Sequence, residues 1–567
     1  MMKSNFLTRI RLISLFVFLF ALLIISRLYF LQIVDHQLYL SKADRQYLSS
    51  SDSLFDRGSI FFQDKDGNLI SAATLKSGFI VAVNPEVLQN PESVYLKLNA
   101  ILPTDHDTFI AKATKTGDPY EEIATRVADD IGQKISDLKI TGLNVYKENW
   151  RFYPGGDVAS RTVGIMGYLG NDFAGRYGLE SQYDTVLERT DESDVNFFAE
   201  LFADIKSEAS GQGEGDIVTS IEPTLQMYLQ SELATTTAKW SSDYTGGIIM
   251  NPSTGEIYAM DVSPTFDPNN PQDQASSDIF SNPLVESIYE MGSIIKPLTM
   301  SIGIDTGVMS ATTTYYDPGY VMLNGKKVSD FDGKNRGVVT MQTALSQSLN
   351  VGAAYAEHLI GNDRFTQYMY NFGLNEKTGI DLPNEAKDLT SNLNVNRDLE
   401  HAEASFGQGI ALTPMATIRA LAAIANGGNL INPHVVKQIN YTVGLSTNIP
   451  TVVERRVISA ATAEAVTKMM VWSADNTLMN GTVKLANYSV AVKTGTAQIA
   501  KPNGEGYYSD KFLHSFVGFF PAYNPKFIIF LYTYNPQGVQ FGSETLTMPF
   551  MDLVKFIINY YNIPPDR

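Results

Sequence analysis

The N-terminal apolar run constrains this chain most. After Lys3, Arg9 and Arg11, residues 12–25 are apolar apart from Ser14, and the pattern continues through Leu28, Tyr29, Phe30, Leu31, Ile33 and Val34. As one helix, residues 12–34 would reach about 34 Å, enough to cross a bilayer. Arg27 stands near the far end, where its stem can snorkel to the interface. Basic residues precede the run and Asp35 follows it. The positive-inside rule therefore keeps residues 1–11 in the cytoplasm and puts nearly all of the chain outside. A cleaved signal peptide would use Leu12–Ile25 as its core. However, Ser26-Arg27-Leu28-Tyr29-Phe30 offers no small-x-small site, so a retained single-pass plasma-membrane anchor is the expectation. No second apolar run is long enough to span a bilayer, so the rest is expected to fold in water.

At 567 residues the chain has room for several domains. Its 43 Lys and Arg against 61 Asp and Glu give a net charge of −18, which disfavours nucleic acid as a partner. Cysteine is absent, so disulfides, thiolate nucleophiles and Cys-held metals are excluded. The six histidines are scattered, with no pair at i, i+3 or i+4, so no metal or other cofactor is expected.

Residues 35–48 read as a helical stalk. From Asp56 the pattern is strand and turn: Ser59–Phe62, the turn Asp64–Asn68, then Gly78–Val83. Residues 85–135 read as more helical. Gly211–Asp216 reads as a turn or linker, since no helix follows it and it lacks the Lys-Ser/Thr ending of a phosphate loop. A short strand (Ile217–Ile221), a helix opened by Pro223 and running to Trp240, and paired strands Gly247–Met250 and Glu256–Met260 come next. Helices then dominate to about Met479, including Val339–Leu359 and Thr413–Asn426. Strands return at Ser489–Val492, Ser515–Phe520 and Phe527–Tyr534, and a last helix covers Met548–Tyr561. The expected class is α/β in the mixed α+β sense, with a sheet drawn from both ends of the C-terminal domain and covered by helices.

Three short motifs occur in order: Ser293-Ile294-Ile295-Lys296, Ser348-Leu349-Asn350 and Lys493-Thr494-Gly495-Thr496. On a helix, i and i+3 share a face, so the Lys296 amine can reach the Ser293 hydroxyl. An alcohol needs a nearby base to attack a carbonyl, and a lysine buried beside apolar or cationic groups can shed its proton and be that base. Ser348 supplies a hydroxyl to relay a proton, and Asn350 an amide to hold a peptide. Lys493 and Thr494 offer a positive charge and a hydroxyl for a substrate carboxylate, and the small Gly495 lets that substrate lie along the strand. Each motif is short enough to recur. A second S-x-x-K starts at Ser136, a second S-x-N at Ser446, and K-T-G also starts at Lys115 and Lys377. Context favours the first three: apolar residues follow Ser293 and an apolar strand precedes Lys493.

With these residues the chain resembles the class B penicillin-binding proteins, membrane-anchored D,D-transpeptidases of peptidoglycan synthesis. The resemblance covers nearly the whole chain. Asp56-Arg57-Gly58-Ser59-Ile60 with Asp66-Gly67, Arg151-Phe152-Tyr153-Pro154 and Gly175-Arg176-Tyr177-Gly178-Leu179-Glu180 are similar to the family's pedestal motifs. Ser405-Phe406-Gly407-Gln408-Gly409 with Thr413-Pro414, and Ser515-Phe516-Val517-Gly518-Phe519 with Pro521, are similar to its transpeptidase motifs. Met291 and Val492 depart from the family's usual Pro and Gly, and Val492 is placed to crowd the approach to the strand. Tyr289-Glu290 and Thr378–Pro383 resemble the septal, cell-division branch.

The resemblance implies a cytoplasmic tail (1–11), an anchor (12–34), an elongated mixed α+β pedestal or dimerisation-like domain (35–219), and a transpeptidase domain (220–567) with an antiparallel sheet flanked by helices and an all-helical lobe. It implies Ser293 as the acylated nucleophile, Lys296 as its base, Ser348 as proton relay and Asn350 as donor-peptide clamp. Lys493, Thr494, Gly495 and Thr496 would form the carboxylate-binding edge, with the backbone N–H groups of Ser293 and Thr496 as the oxyanion hole. Its implied partners are the D-Ala-D-Ala donor stem, an acceptor stem's amine, β-lactams, and a polytopic glycan polymerase with other cell-wall synthesis proteins. A D,D-carboxypeptidase, a β-lactamase-like hydrolase and a non-catalytic divisome scaffold or β-lactam sensor remain the competing readings. For the Gln498–Phe512 stretch, a groove border and an ordinary hairpin loop are equal expectations. Glu290 is expected to be a capping or surface residue, and His514 needs no catalytic role.

Overall fold

The computed structural model describes residues 55–169, 172–189, 213–274, 276–442, 444–502, 504 and 506–567. The tail, anchor and stalk expected over residues 1–48 lie outside the described residues. Among the described residues, no helix is long and apolar enough to cross a membrane. The chain divides into two compact units. Among the described residues, one holds Phe55, Asp56 and Leu75–Trp150, and the other holds Arg57–Thr74 and those from Arg151 to Arg567.

In the smaller unit, residues 79–83 pair antiparallel with the strand Glu121–Val127. Helices Pro91–Asn99, His106–Ala113 and Asp129–Ser136 bury Val94, Leu98, Phe109 and Ile135 against Val81 and Val83. The Asp105 carboxylate caps the second helix by accepting from Thr108 N–H at 2.9 Å. Glu121–Val127 lies in a stretch expected to be helical. Its Glu-rich start favours a helix, but edge pairing overrides that local preference.

In the larger unit, three pedestal motifs far apart in sequence meet at Glu180. Arg57 Nε donates to Glu180 Oε2 at 2.8 Å, and Arg151 Nε donates to Glu180 Oε1 at 2.6 Å. Arg151 also reaches Gly58 O at 2.7 Å, and the Tyr153 hydroxyl donates to Glu180 Oε1 at 3.3 Å. A Cβ on Gly58 would lie 2.2 Å from Gly215 O, so only glycine fits there.

The centre of this unit is a five-stranded sheet. Helix α1 (Pro223–Trp240) leads into β1 (Tyr244–Met250) and β2 (Ile257–Ser263). Strands β3 (Ala491–Ala500), β4 (Tyr507–Phe520) and β5 (Phe527–Tyr534) complete it in the order β3-β4-β5-β1-β2, antiparallel throughout. The centre of the sheet is buried on both faces, so β5 is apolar along its length apart from Thr533. Alternation persists in what each residue packs against. Phe516, Phe520, Ile529 and Leu531 join α1 and α6 (Gly542–Tyr560), whereas Val517, Phe519, Ile528 and Phe530 join the core under the helical lobe.

That lobe contains α2 (Lys296–Asp305), α3 (Asn350–Ile360), α4 (Pro414–Ala425) and α5 (Ala460–Asn476). Every residue of α4 is buried, and Thr413 caps it through Ala416 N–H. Two expectations are corrected here. The lobe is not all-helical: Thr314–Asp317 pairs with Gly337–Thr340, Tyr320–Leu323 with Lys326–Ser329, and Asn429–Ile431 with Val453–Arg456. Asn324-Gly325, both at positive φ, forms the two-residue turn of the second pair, a standard hairpin signal. The single helix expected over Val339–Leu359 is two, Met341–Ser346 and α3, broken where Ser348 takes φ 58°.

Candidate active site

Ser293 sits on the tight turn Gly292–Ile295, directly before α2. Gly292 has φ 64°, and a Cβ there would lie 2.8 Å from Thr496 O. Its N–H donates to Gly407 O at 3.0 Å, and a Cβ on Gly407 would fall 2.2 Å from Gly292 O. The Ser515 hydroxyl donates to Met291 O at 2.8 Å. The Ser405–Gly409 segment and the Lys493–Thr496 strand thus close on the Ser293 turn from two sides. Gly495 serves this contact: a Cβ there would meet Ser515 Oγ at 2.2 Å and Met291 O at 2.8 Å. Gly495 is therefore small so that the strand can pack on the turn.

Lys296, one helical turn on, is wholly buried. Its Nζ donates to Ser348 O at 2.6 Å and to Asn350 Oδ1 at 2.8 Å, with Ser348 Oγ at 3.4 Å. Burial drives its pKa far below the ordinary lysine value, and the neighbouring Lys493 pushes the same way. A neutral amine has two N–H bonds and one lone pair. The two carbonyl oxygens take both N–H bonds, which leaves the lone pair free to accept a proton. Ser348 is held from both sides, since Lys493 Nζ donates to its Oγ at 2.9 Å. Its left-handed backbone costs on the order of 1–3 kcal/mol, which these bonds offset. Lys493 also donates to Thr494 O at 2.7 Å, and burial lowers its pKa to about 7. Asn350 opens α3 and anchors its amide by donating to Ser329 O at 2.9 Å.

Six of the eight sequence-selected residues (Ser293, Ser348, Asn350, Lys493, Thr494 and Thr496) line one groove of about 680 Å³. Lys296 reaches it from beneath through Ser348 and Asn350. Gly495 is not among the lining residues. The alternative motif copies lie elsewhere. Lys115 pairs with Asp118 and Glu121, and Thr378 is buried against Glu385. Ser136 ends a helix and Ser446 starts a three-residue strand.

The Gln498–Phe512 stretch is mostly strand, because β3 runs to Ala500 and β4 begins at Tyr507; Gln498, Ser509 and Phe512 line the groove. Glu290 is no simple cap. It is partly buried, accepts from the Tyr507 hydroxyl at 2.9 Å and Gly409 N–H at 3.2 Å, and is pushed up to about 7 by burial. His514 is occupied on both ring nitrogens, by Thr545 Oγ1 and Gln540 O at 3.0 Å each, and burial lowers it to about 4. Met291 is wholly buried, and Val492, though it borders the groove, packs into the α1–α6 core. Sequence reasoning missed Phe331 and Phe541, which border the groove with their rings 5.8 Å apart. Neither belongs to a motif, and only the fold brings them together.

Residues 245–552 match the family described as penicillin binding protein transpeptidase domain, and residues 55–196 match that described as penicillin-binding protein dimerisation domain. The chain is 29% identical to the stage V sporulation protein D of Bacillus subtilis, over 96% of this chain and 84% of that protein. It is 26% identical to the peptidoglycan D,D-transpeptidase FtsI of Buchnera aphidicola, over 97% of this chain and 94% of that one. Its fold is similar to that of penicillin binding protein 2X from Streptococcus thermophilus, with a TM-score of 0.73 at 20% identity over 90% of this chain and 81% of that one. With the first family spanning more than half of the sequence and the groove built from its motifs, the chain belongs to the class B penicillin-binding proteins.

Proposed function

We propose that this protein is a serine D-Ala-D-Ala transpeptidase whose Ser293 forms the acyl-enzyme. The observation that carries the reading is the Lys296 amine: fully buried, beside a second buried amine, with both N–H bonds already spent on carbonyl oxygens. Lys296 takes the Ser293 proton as the hydroxyl attacks the penultimate D-Ala carbonyl. The Ser348 hydroxyl, polarised by Lys493, passes its proton to the departing D-Ala amine and takes the Ser293 proton from Lys296 in exchange. Lys493, Thr494 and Thr496 hold the terminal carboxylate, and Asn350 orients the donor peptide. The Ser293 turn packs against Thr496, which supports an oxyanion hole made from the amides of residues 293 and 496. An acceptor stem's amine then attacks the ester and releases Ser293. β-Lactams acylate the same hydroxyl.

This reading extends to the whole chain. Residues 12–34 anchor it once in the plasma membrane with residues 1–11 in the cytoplasm, residues 35–219 form the pedestal, and residues 220–567 carry out transfer outside the cell. Its place is septal, beside a polytopic glycan polymerase. The names of the sporulation and FtsI relatives support the septal branch.

Labelled penicillin tests the chemistry. Mass spectrometry is expected to find the adduct on the tryptic peptide containing Ser293, and Ser293→Ala to take no label. An adduct on another residue, or label retained by Ser293→Ala, would remove the nucleophile.

A further inference from the structure

Behind the groove, two carboxyl groups face each other out of solvent. Asp317 ends the strand Thr314–Asp317, and Asp330 follows the strand Lys326–Ser329; both are buried. Each spends one oxygen on a backbone amide. Asp317 Oδ1 accepts from Gly319 N–H at 2.8 Å, and Asp330 Oδ1 accepts from Val351 N–H at 3.0 Å. The Oδ2 atom of each is buried and has no donor. The two side chains lie within hydrogen-bonding reach of each other.

We propose that Asp317 and Asp330 share one proton between their Oδ2 atoms, and that this singly charged pair positions Asn350 and, through it, the Lys296 amine. One proton satisfies both orphaned oxygens, as donor from one carboxyl and acceptor on the other. Without it, two carboxylates would sit in contact with too little countercharge. Arg336 Nη1 is 3.7 Å from Asp330 Oδ2, but the same guanidinium is paired with Asp332 at 3.0 Å. The other ionisable groups facing the pair are Lys296 and the buried Tyr315 hydroxyl, which itself has no partner. Burial and Asp317 push the Asp330 carboxyl up to about 6, in the same direction.

The positioning path is short. Ser329 O accepts from Asn350 Nδ2 and Asp330 Oδ1 accepts from Val351 N–H, so two consecutive residues grip the first two residues of α3. Asn350 Oδ1 then accepts from Lys296 Nζ. The charge also matters. A doubly ionised pair would draw a proton back onto Lys296, whereas a singly charged one leaves the amine free to act as base. That role rests on Lys296 being the acylation base; the shared proton does not.

Asn at either position leaves one carboxylate and puts an amide N–H where the shared proton was. For Asp317→Asn and Asp330→Asn, penicillin acylation is expected to slow severalfold, with the acid limb of its pH profile at the wild-type position. The double variant, with no charge, is expected to move that limb to lower pH. Asp330→Ala, which drops the Val351 bond, is expected to lose at least about tenfold in rate. A single Asn variant that moves the acid limb downward would mean the wild-type pair carries two charges, and a wild-type rate in Asp330→Ala would remove the positioning role. Infrared spectroscopy reads the proton without activity. The wild-type-minus-Asp330→Asn difference spectrum at about pH 5, below the Asp330 value of about 6, should show a carboxylic-acid carbonyl band, and its absence would overturn the shared proton. Wild-type protein that takes no penicillin would instead overturn the Ser293 reading and leave the infrared result standing.

Discussion

Two clusters of buried charge in the larger unit solve the same problem in opposite ways. Around Glu180, Arg57 and Arg151 each donate to a carboxylate oxygen, and all three side chains are at most 3% exposed. Opposite charges lie in direct contact there, with Asp184 as a second carboxylate 2.8 Å from Arg57. Around Ser348, two amines are buried with carbonyl and hydroxyl oxygens as hydrogen-bond partners. Among the described residues no carboxylate stands at hydrogen-bond distance to balance their charge, so burial acts on the proton and both lysines are pulled down. An ion cluster of the first kind holds chain segments together, and a cluster of the second kind stores a base.

The largest expected effect comes from removing the stored base. Lys296→Met should slow penicillin acylation by about 10²–10⁴, the range for a lost general base. Its melting temperature should change little, because deleting a desolvated amine offsets the loss of donors to Ser348 O and Asn350 Oδ1. Stopped-flow acylation and a thermal scan on the same protein test this; a large loss of stability without a rate defect would put Lys296 in the structural class.

The reciprocal change is Glu180→Ala. It takes the carboxylate from the buried Arg151 guanidinium, while Arg57 keeps Asp184, and should cost on the order of 3–5 kcal/mol of stability. Molecules that remain folded should still acylate Ser293 at close to the native rate. Denaturant midpoints, with acylation scored per folded molecule, separate the two quantities. A mild stability effect would show that the cluster is already solvated.

The contrast also explains what the sequence could and could not reveal. The groove residues were legible because S-x-x-K, S-x-N and K-T-G are short spans, and an apolar neighbourhood separated Ser293 and Lys493 from their copies. The sheet was legible from its apolar runs: Phe527–Tyr534 is found as read, and the helix from Pro223 ends at Trp240. The break at Ser348 was hidden, because the residues around it favour a helix and the left-handed turn is held by Leu349 N–H donating back to Ala344 O and by the bonds from Lys296 and Lys493. Asp330 was hidden too. It stands 20 residues before Asn350, and tertiary packing alone brings it to α3. The Asn324-Gly325 hairpin was open to view and was absorbed into a helical reading of the lobe.

The finest test of the comparison is pH dependence, since burial brings Lys493 of the amine cluster close to neutrality. Lys493 has a pKa of about 7 in the folded protein against an ordinary 10.5. In that window the unfolded chain carries a proton that the native state lacks. Stability should therefore rise with pH between these values, by up to about 1.4 kcal/mol per unit. The penalty for burying the charged amine is whole below about pH 7 and gone above the ordinary lysine value. Lys493→Met should remove its share of that slope and leave the share from Lys296, whereas Glu180→Ala should leave both intact. Activity moves the other way. As Lys493 loses its proton, the attraction for a substrate carboxylate weakens, so the second-order acylation constant should fall above about pH 7. A bound carboxylate favours the charged amine, so the first-order constant at saturation should hold to higher pH. If both constants fell together at the same pH, the titrating group would lie outside the carboxylate site, and Lys493 would belong with the Glu180 cluster as a structural charge.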